Sequence, residues 1–244
     1  MPGLFLDTIF AMDQKSNTSL LIHNKTKMKL QLALDFVDLE KALAAAEEAQ
    51  EFVDILEAGT PLIKAVGLDS VRELRKRFPD KLIDADMKTA DVGDLEVAIA
   101  AEAGANIVHV LGITPLETVQ EAVIEANKRE NVKISIDICG IKELIGDKGL
   151  MERLKKIEEI GAHYIEVHTT ISQQRQGGDP FADIRKVAEM TSLPLAVAGG
   201  ITPETVHKLK GIANLEIVIV GGGITKAPDP KEAARTIKDI ITTF

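Results

Sequence analysis

The run Lys81-Leu82-Ile83-Asp84-Ala85-Asp86-Met87-Lys88-Thr89-Ala90-Asp91 is an apolar strand that closes in carboxylates and an ammonium. Side chains alternate on an extended backbone, so Asp84, Asp86 and Lys88 share one face while Ile83, Ala85 and Met87 pack on the other. The bland alternative is a solvated strand end with an incidental ion pair. Immediately downstream, Leu95–Ala103 carries apolar residues at i, i+3, i+4 spacing, the mark of an amphipathic helix. The same strand-then-helix pair recurs in both directions. Strand-like runs fall at Leu30–Leu34, Val53–Ala58, Leu82–Asp86, Asn106–Leu111, Val132–Ile138, Tyr164–His168, Leu195–Ala198 and Glu216–Val220. Helical patterns fall at Asp38–Gln50, Ser70–Phe78, Leu95–Ala103, Leu116–Lys128, Met151–Ile160, Phe181–Met190, Glu204–Lys210 and Lys231–Ile241. Eight such units in 244 residues predict an α/β fold of the (β/α)8 TIM barrel class. A doubly wound open sheet is the competitor, but it usually shows a Gly-rich first turn. Here the first strand closes in Leu34-Asp35-Phe36, and the glycines gather after the seventh and eighth.

Local signals support the helices. Asp38, Asp69 and Asp229 are candidate caps, Pro115, Pro180, Pro203 and Pro230 suit first-turn positions, and Gly104 and Gly161 suit left-handed helix ends. The 45% hydrophobic content comes with only seven Phe, one Tyr and no Trp, so the core must be built from Val, Ile, Leu and Ala. That composition suits buried parallel strands covered by helices. A net charge of −9 without a long Lys/Arg block argues against a nucleic-acid surface. No stretch is apolar enough to span a membrane. The single Cys139 excludes an intramolecular disulfide and fits a reducing, cytoplasmic setting. Residues 1–27 show no periodic element and no signal-peptide pattern, so they are expected to form an N-terminal extension of a catalytic domain at 28–244.

In a barrel the C-terminal strand ends face one mouth, so the polar residues there form a set. They are Asp35, Glu57, Asp86 with Lys88 and Asp91, Asp137 and His168. Each has a plainer alternative: Asp35 as a helix cap, Glu57 as an ion pair with Lys64 or Lys88, His168 as a structural bond to a loop. Burying that many charges demands pairing or a cation. Oxygen-rich ligation without a Cys/His cluster points to a hard ion, Mg2+ or else Mn2+, with Glu57 and Asp86 as its ligands. Small residues at Ala198-Gly199-Gly200 and Gly221-Gly222 would let backbone amides approach a phosphate, although glycines also serve plain turns. Cys139 reads as a small packing residue, and His109 and His163 as structural, because both histidines precede the catalytic ends of their strands.

The segments Glu57-Ala-Gly-Thr-Pro-Leu-Ile-Lys64, Asp86-Met-Lys-Thr-Ala-Asp91, Val167-His168 with Gln173-Gln174, Val197-Ala-Gly-Gly-Ile201 and Val220-Gly-Gly-Gly-Ile224 carry a resemblance. From about Lys29 to the C-terminus, the chain resembles the 3-hexulose-6-phosphate synthases of the orotidine-monophosphate decarboxylase suprafamily. The Asp-x-Lys-x-x-Asp motif marks the suprafamily, and Glu-x-Gly-Thr-Pro-Leu narrows it to the branch shared with 3-keto-L-gulonate-6-phosphate decarboxylases. Asp137, Ile171, Ala198-Gly199-Gly200 and Gly221-Gly222 lean towards the synthases, because the decarboxylases have Glu, Arg, Thr-Gly-Gly and Gly-Arg there. Ser172 departs from the synthase pattern, which often has Asp.

The resemblance implies a Mg2+-dependent aldol addition of formaldehyde to D-ribulose 5-phosphate, reversible and passing through an enediolate. It implies that Lys88 donates to the enediolate, oriented by Asp35, Asp86 and Asp91, that His168 transfers the proton, and that Asp137 binds sugar hydroxyls or positions water. It also implies a homodimer with shared sites, Asp91 serving the neighbouring subunit. The rival readings are a 3-keto-L-gulonate-6-phosphate decarboxylase and a non-catalytic phosphosugar-binding barrel.

Overall fold

The computed structural model describes residues 28–170, Ser172, Arg175, Phe181 and 183–244. The expected extension at 1–27, the Gln173-Gln174 pair, Ile171 and Pro180 lie outside the described residues. The elements run β1 (Lys29–Leu34), α1 (Leu39–Ala49), β2 (Ile55–Ala58), α2 (Thr60–Val66), α3 (Asp69–Arg77), β3 (Leu82–Thr89), α4 (Gly93–Glu102), β4 (Ile107–Leu111) and α5 (Leu116–Asn127). They continue with β5 (Lys133–Asp137), α6 (Ile141–Ile160), β6 (Tyr164–His168), α7 (Ile184–Met190), β7 (Leu195–Ala198), a 3-10 turn (Val206–Leu209), β8 (Leu215–Val220), α8 (Gly222–Thr225) and α9 (Pro230–Thr242). The strands pair in sequence order, all parallel, and close β8 onto β1. This is the expected (β/α)8 barrel.

Two apolar layers hold it. Outward-facing Leu30, Leu32, Leu56, Ile83, Val108, Ile134 and Val197 pack under the helices in one continuous core. Inside the barrel a smaller cluster of Ala33, Ile55, Ile107, Ala196, Ala198, Ile217 and Ile219 fills the side bounded mainly by β7, β8 and β1. The rest of the interior, from β2 to β6, is polar.

Asp38 and Asp229 cap as expected, accepting from Lys41 N at 3.0 Å and Glu232 N at 2.9 Å. Asp69 does not cap. Leu68 takes the cap position, and the Asp69 carboxylate pairs with Arg72 one turn on. Pro115 is itself the cap residue of α5, while Pro230 opens α9 as predicted. Gly161 ends α6 in the left-handed region, and Gly104 follows α4 with φ 110. The Glu204–Lys210 pattern shrinks to one 3-10 turn, with Gly211 at φ 76 just beyond it. The helix expected from Met151 instead begins at Ile141 and bends at non-helical Gly146. Short α2 and α8 had no periodicity to reveal them, because neither completes two full turns.

Where α4 meets α5, a Cβ at Gly93 would collide with the Thr118 carbonyl oxygen and lie 3.0 Å from Ala122 N. Gly93→Ala should therefore cost about 1–3 kcal/mol of stability, as overpacking against fixed backbone does. Urea unfolding checks this, and an unchanged midpoint would refute the contact.

Candidate active site

The strand register places the polar residues at related levels inside the barrel. Glu57 pairs across to Ala33 and Asp84, Asp137 to Glu166, and His168 to Ala198. Glu57, Asp84, Asp86, Asp137 and Glu166 are all buried. Five acids from four strands thus share the interior with Lys88, His109 and His168.

Lys88 reaches this group because β3 is irregular. The register slips between Ala85 and Thr89, and Lys88 has φ 48, a left-handed conformation that costs a non-glycine residue roughly 1–3 kcal/mol. Bulges re-aim side chains. Here the Lys88 ammonium lies 2.7 Å from Asp137 Oδ2 on β5 and 3.1 Å from Asp86 Oδ1. Burial opposes its charge, but Asp137, Asp86 and Glu166 outweigh that and raise its pKa. Within its own chain Lys88 is held directly by Asp86, as expected, and by Asp137, which was not expected, while Asp35 acts on it only through the field. Asp91 sits beyond the bulge, exposed, with its carboxylate accepting from Val92 N at 2.8 Å. Asp137 is likewise no free sugar-binding group. Its Oδ1 accepts from Cys139 N at 2.8 Å and its Oδ2 takes Lys88. Although burial would raise the Asp137 pKa, His168 and Lys88 pull it well below the usual carboxylate range.

Below this layer sits His109. Its Nε2 is 2.8 Å from Asp84 Oδ2, and its Nδ1 is 2.8 Å from Glu166 Oε2 and 3.2 Å from Asp86 Oδ1. The Nδ1 contacts are charge pairs out of hydrogen-bond alignment, which leaves Nδ1 and both facing oxygens without a bonded partner. Burial lowers the basicity of His109, but Asp84 and Glu166 overturn this and raise it well above the ordinary imidazole value. Gln31 Nε2 joins the lower level to the mouth, donating to Glu57 Oε2 at 2.7 Å and Asp84 Oδ2 at 2.8 Å. Glu57 pairs with neither Lys64 nor Lys88. Burial, then Asp86 and Asp84, push its pKa well up. Asp86 moves the other way: burial is outweighed by His109, Lys88 and the Thr60 hydroxyl, which donates to its Oδ2 at 2.5 Å.

His168 lies at the mouth, its Nδ1 3.5 Å from Asp137 Oδ2 and 3.8 Å from Glu166 Oε1. Burial disfavours its charge, but Asp137 and Glu166 prevail and its pKa is raised. His163 is structural as expected, accepting from Ile134 N at 3.1 Å, with its pKa lowered to about 4 by burial. Burial and Asp137 push the Cys139 thiol up to about 12, which disqualifies it as a nucleophile.

On the opposite side of the mouth the two glycine turns meet. Gly199 and Gly200 have φ 105 and φ 66, and a Cβ at Gly223 would strike the Ile201 carbonyl oxygen. Ala198 ends β7 with its methyl inside the barrel, Gly222 opens α8, and a Cβ at Gly221 would lie 3.5 Å from both Ala33 O and Asp35 Oδ2. A Cβ at Gly59 would collide with Asp35 Oδ1 and lie 3.1 Å from Leu34 O, so a side chain there would displace the Asp35 carboxylate. Asp35 opens to solvent through the mouth, yet burial on its protein side and the nearby Asp86 charge raise its pKa.

The interior is overcharged with acid. Even with both imidazoles protonated, five carboxylates face three bases, an excess that two protons or one divalent cation would neutralise. Glu57 and Asp86 supply hard oxygen donors for such an ion, and Asp86 Oδ1, which has charge pairs but accepts no aligned hydrogen bond, fits that role. Asp137, Cys139 and His168 also bring ligand atoms within 4.8 Å of one another, but there the acid is already neutralised by Lys88 and the thiol is protonated. A cavity of about 690 Å3 opens at the other end of the strands beside Arg75, Asn106, Lys133 and Tyr164 and touches none of these groups.

Sequence reasoning missed Glu166, Gln31 and the central position of His109. All lie one or two levels below the strand ends, where period-two alternation from Asp137 or His168 would have found Glu166 and Ser135.

The family profile described as orotidine 5'-phosphate decarboxylase / HUMPS matches residues 28–237. A 3-hexulose-6-phosphate synthase of Mycobacterium gastri is 37% identical over 214 residues, covering 88% of this chain and 100% of the relative. The crystal structure of 3-hexulose-6-phosphate synthase from Salmonella typhimurium superimposes with a TM-score of 0.82 at 34% identity, over 88% of this chain and 99% of that one. A 3-keto-L-gulonate-6-phosphate decarboxylase structure from Vibrio cholerae gives 0.78 at 27% identity, over 90% and 99%. These likenesses bear out the resemblance read from the motifs.

A thiol held near 12 predicts that native Cys139 reacts with a disulfide reagent at pH 8 about 30- to 100-fold more slowly than in the denatured chain, the lost thiolate fraction being partly offset by greater nucleophilicity. Stopped-flow labelling of this single cysteine checks it, and comparable rates would place the thiol in a different environment.

Proposed function

The chain belongs to the orotidine 5'-phosphate decarboxylase / HUMPS family, and from that membership we propose that it is a carbon–carbon lyase that adds formaldehyde to D-ribulose 5-phosphate, giving D-arabino-3-hexulose 6-phosphate, reversibly. The observation that carries the reading is the Lys88–Asp137–His168 group beside the excess carboxylates Glu57 and Asp86. Aldol chemistry needs a carbon acid, a stabilised oxyanion and a proton carrier, and the site offers a residue for each task.

Glu57 and Asp86 would hold Mg2+ (or Mn2+), which when bound supplies Lewis-acid stabilisation to neighbouring substrate oxygens. Lys88, kept cationic and aimed by Asp86 and Asp137, donates to the negative charge that develops when the C1 proton of ribulose 5-phosphate leaves and an enediolate forms. C1 then bonds to the formaldehyde carbon, the C=O pair moves onto oxygen, and a proton completes the hydroxymethyl group. His168 carries the proton, its ring held by Asp137 and Glu166. The Ala198-Gly199-Gly200 and Gly221-Gly222 turns take the phosphate through backbone amides, and Asp35 faces the sugar between them and β2.

A homodimer with shared sites accords with two observations. Asp91 points away from its own Lys88, and Val37, Val92, Leu95, Ile113 and Leu144 expose apolar side chains on the segments after β1, β3, β4 and β5. Among the described residues no helix is long and apolar enough to cross a membrane. The likeness to the Vibrio cholerae decarboxylase keeps 3-keto-L-gulonate 6-phosphate as the second substrate to assay.

Formaldehyde consumption with ribulose 5-phosphate and Mg2+ should be abolished by EDTA and restored by Mg2+ or Mn2+. Faster CO2 release from 3-keto-L-gulonate 6-phosphate would overturn the assignment. Lys88→Met should lower kcat by about 10^3-fold. If neutral His168 accepts the proton, activity rises as pH passes through its folded pKa, so the acidic limb should lie above the ordinary imidazole value of about 6.5 and vanish in His168→Gln. Lys88→Ala and Asp91→Asn proteins, each inactive, should regain partial activity when mixed and allowed to exchange subunits. No recovery despite proven exchange argues against a shared site.

A further inference from the structure

His109, Asp84 and Gln31 touch no solvent and cannot touch substrate, yet they form a continuous chain of contacts beneath the mouth. It runs from Glu57 through Gln31 (2.7 Å) to Asp84 (2.8 Å), to His109 (2.8 Å), and from the other ring nitrogen to Glu166 (2.8 Å) and Asp86 (3.2 Å). Both acids assigned to the metal are therefore tied together from below. The branch through Glu166 leads on to His168, 3.8 Å away.

We propose that His109 is a positioning residue whose ring, clamped between Asp84 on β3 and Glu166 on β6, fixes Asp86 against Glu57 and holds the Lys88–Asp137–His168 group in working alignment. This rests on the metal-dependent aldolase reading.

Stability alone does not explain the chain of contacts. Replacing a buried ion pair with apolar residues of similar size is often neutral or stabilising. The same barrel shows that its interior tolerates Ala and Ile, since Ala33, Ala196, Ile217 and Ile219 fill the other side. A polar tie under the reacting groups is instead what alignment requires, because ligating carboxylates hold their orientation only when a second tier of bonds holds them. His109 suits the place because a single flat ring presents two nitrogens to acids on opposite sides.

The test removes acid and base together, which leaves the net charge of the interior unchanged. The double variant Asp84→Val/His109→Leu is compared with wild type in thermal melts, in Mn2+ affinity measured by electron paramagnetic resonance without substrate, and in steady-state kinetics. A folded double variant should bind Mn2+ about ten-fold more weakly and lose about ten-fold in kcat. Its KM for ribulose 5-phosphate should stay within about three-fold, because the glycine turns lie on the opposite side of the mouth. Should that variant not fold, Asp84→Asn, which keeps the shape but surrenders the charge facing His109, must show the same two losses in the same direction. Wild-type Mn2+ affinity and kcat in a folded variant overturn the proposal. A wild-type chain that binds Mn2+ without aldol turnover refutes the assigned reaction while the affinity comparison still judges His109. Turnover without Mn2+ binding refutes the metal while the kcat comparison still judges it. A wild-type chain showing neither overturns both.

Discussion

Everything at the mouth depends on how one barrel accommodates more buried acid than base. Glu57, Asp84, Asp86, Asp137 and Glu166 are drawn together by strand register, and burial pushes the first four towards their acid forms. Lys88 and the two imidazoles decide which do not. Asp86 and Asp137, in direct contact with those bases, stay ionised, whereas Glu57, bonded only to the neutral amide of Gln31, is driven towards its acid form. The position of each cation thus sorts five chemically similar groups into different roles. Contact with a base is not sufficient by itself, since Asp84 touches His109 at 2.8 Å and burial still holds its pKa up.

That sorting depends on an irregular backbone. A regular β3 would continue its pleat through Met87 and Lys88, whereas the slip at Ala85 and the left-handed Lys88 direct the ammonium across to β5. The cost of the strained residue is borne by the regular strands around it, which pair without interruption from β4 to β7. The turn from β2 follows the same logic: Gly59 admits the Asp35 carboxylate, and Thr60 then reaches Asp86.

Much of this was legible in the sequence because it repeats. Eight apolar runs separated by amphipathic patterns determine a barrel, and a barrel determines that Asp35, Glu57, Asp86, Asp137 and His168 face one opening. What the sequence hid was the third dimension. Asp91 and Lys88 lie close in the chain but part company at the bulge, so Asp91 bonds to Val92 N while its own Lys88 reaches across to Asp137. His109 looked structural because it precedes its strand end, but strand tilt and stagger bring it under Asp86 and beside Glu166. Periodicity reports which face a residue occupies, not which neighbour two strands away it will meet. The helices missed were those too short to show a period, and the one overestimated, after β7, collapses to a single 3-10 turn.

The division of the interior into an acidic side and an Ala/Ile side has a consequence for how a molecule enters. On the proposed reading a doubly charged headgroup would be repelled by the acid-lined wall and would meet least resistance over the glycine turns after β7 and β8, where small residues leave the backbone open. Its uncharged end is then left above the ammonium and the imidazole. On the proposed reading the asymmetry would act as a compass, the field disfavouring a guest inserted backwards before any individual bond forms.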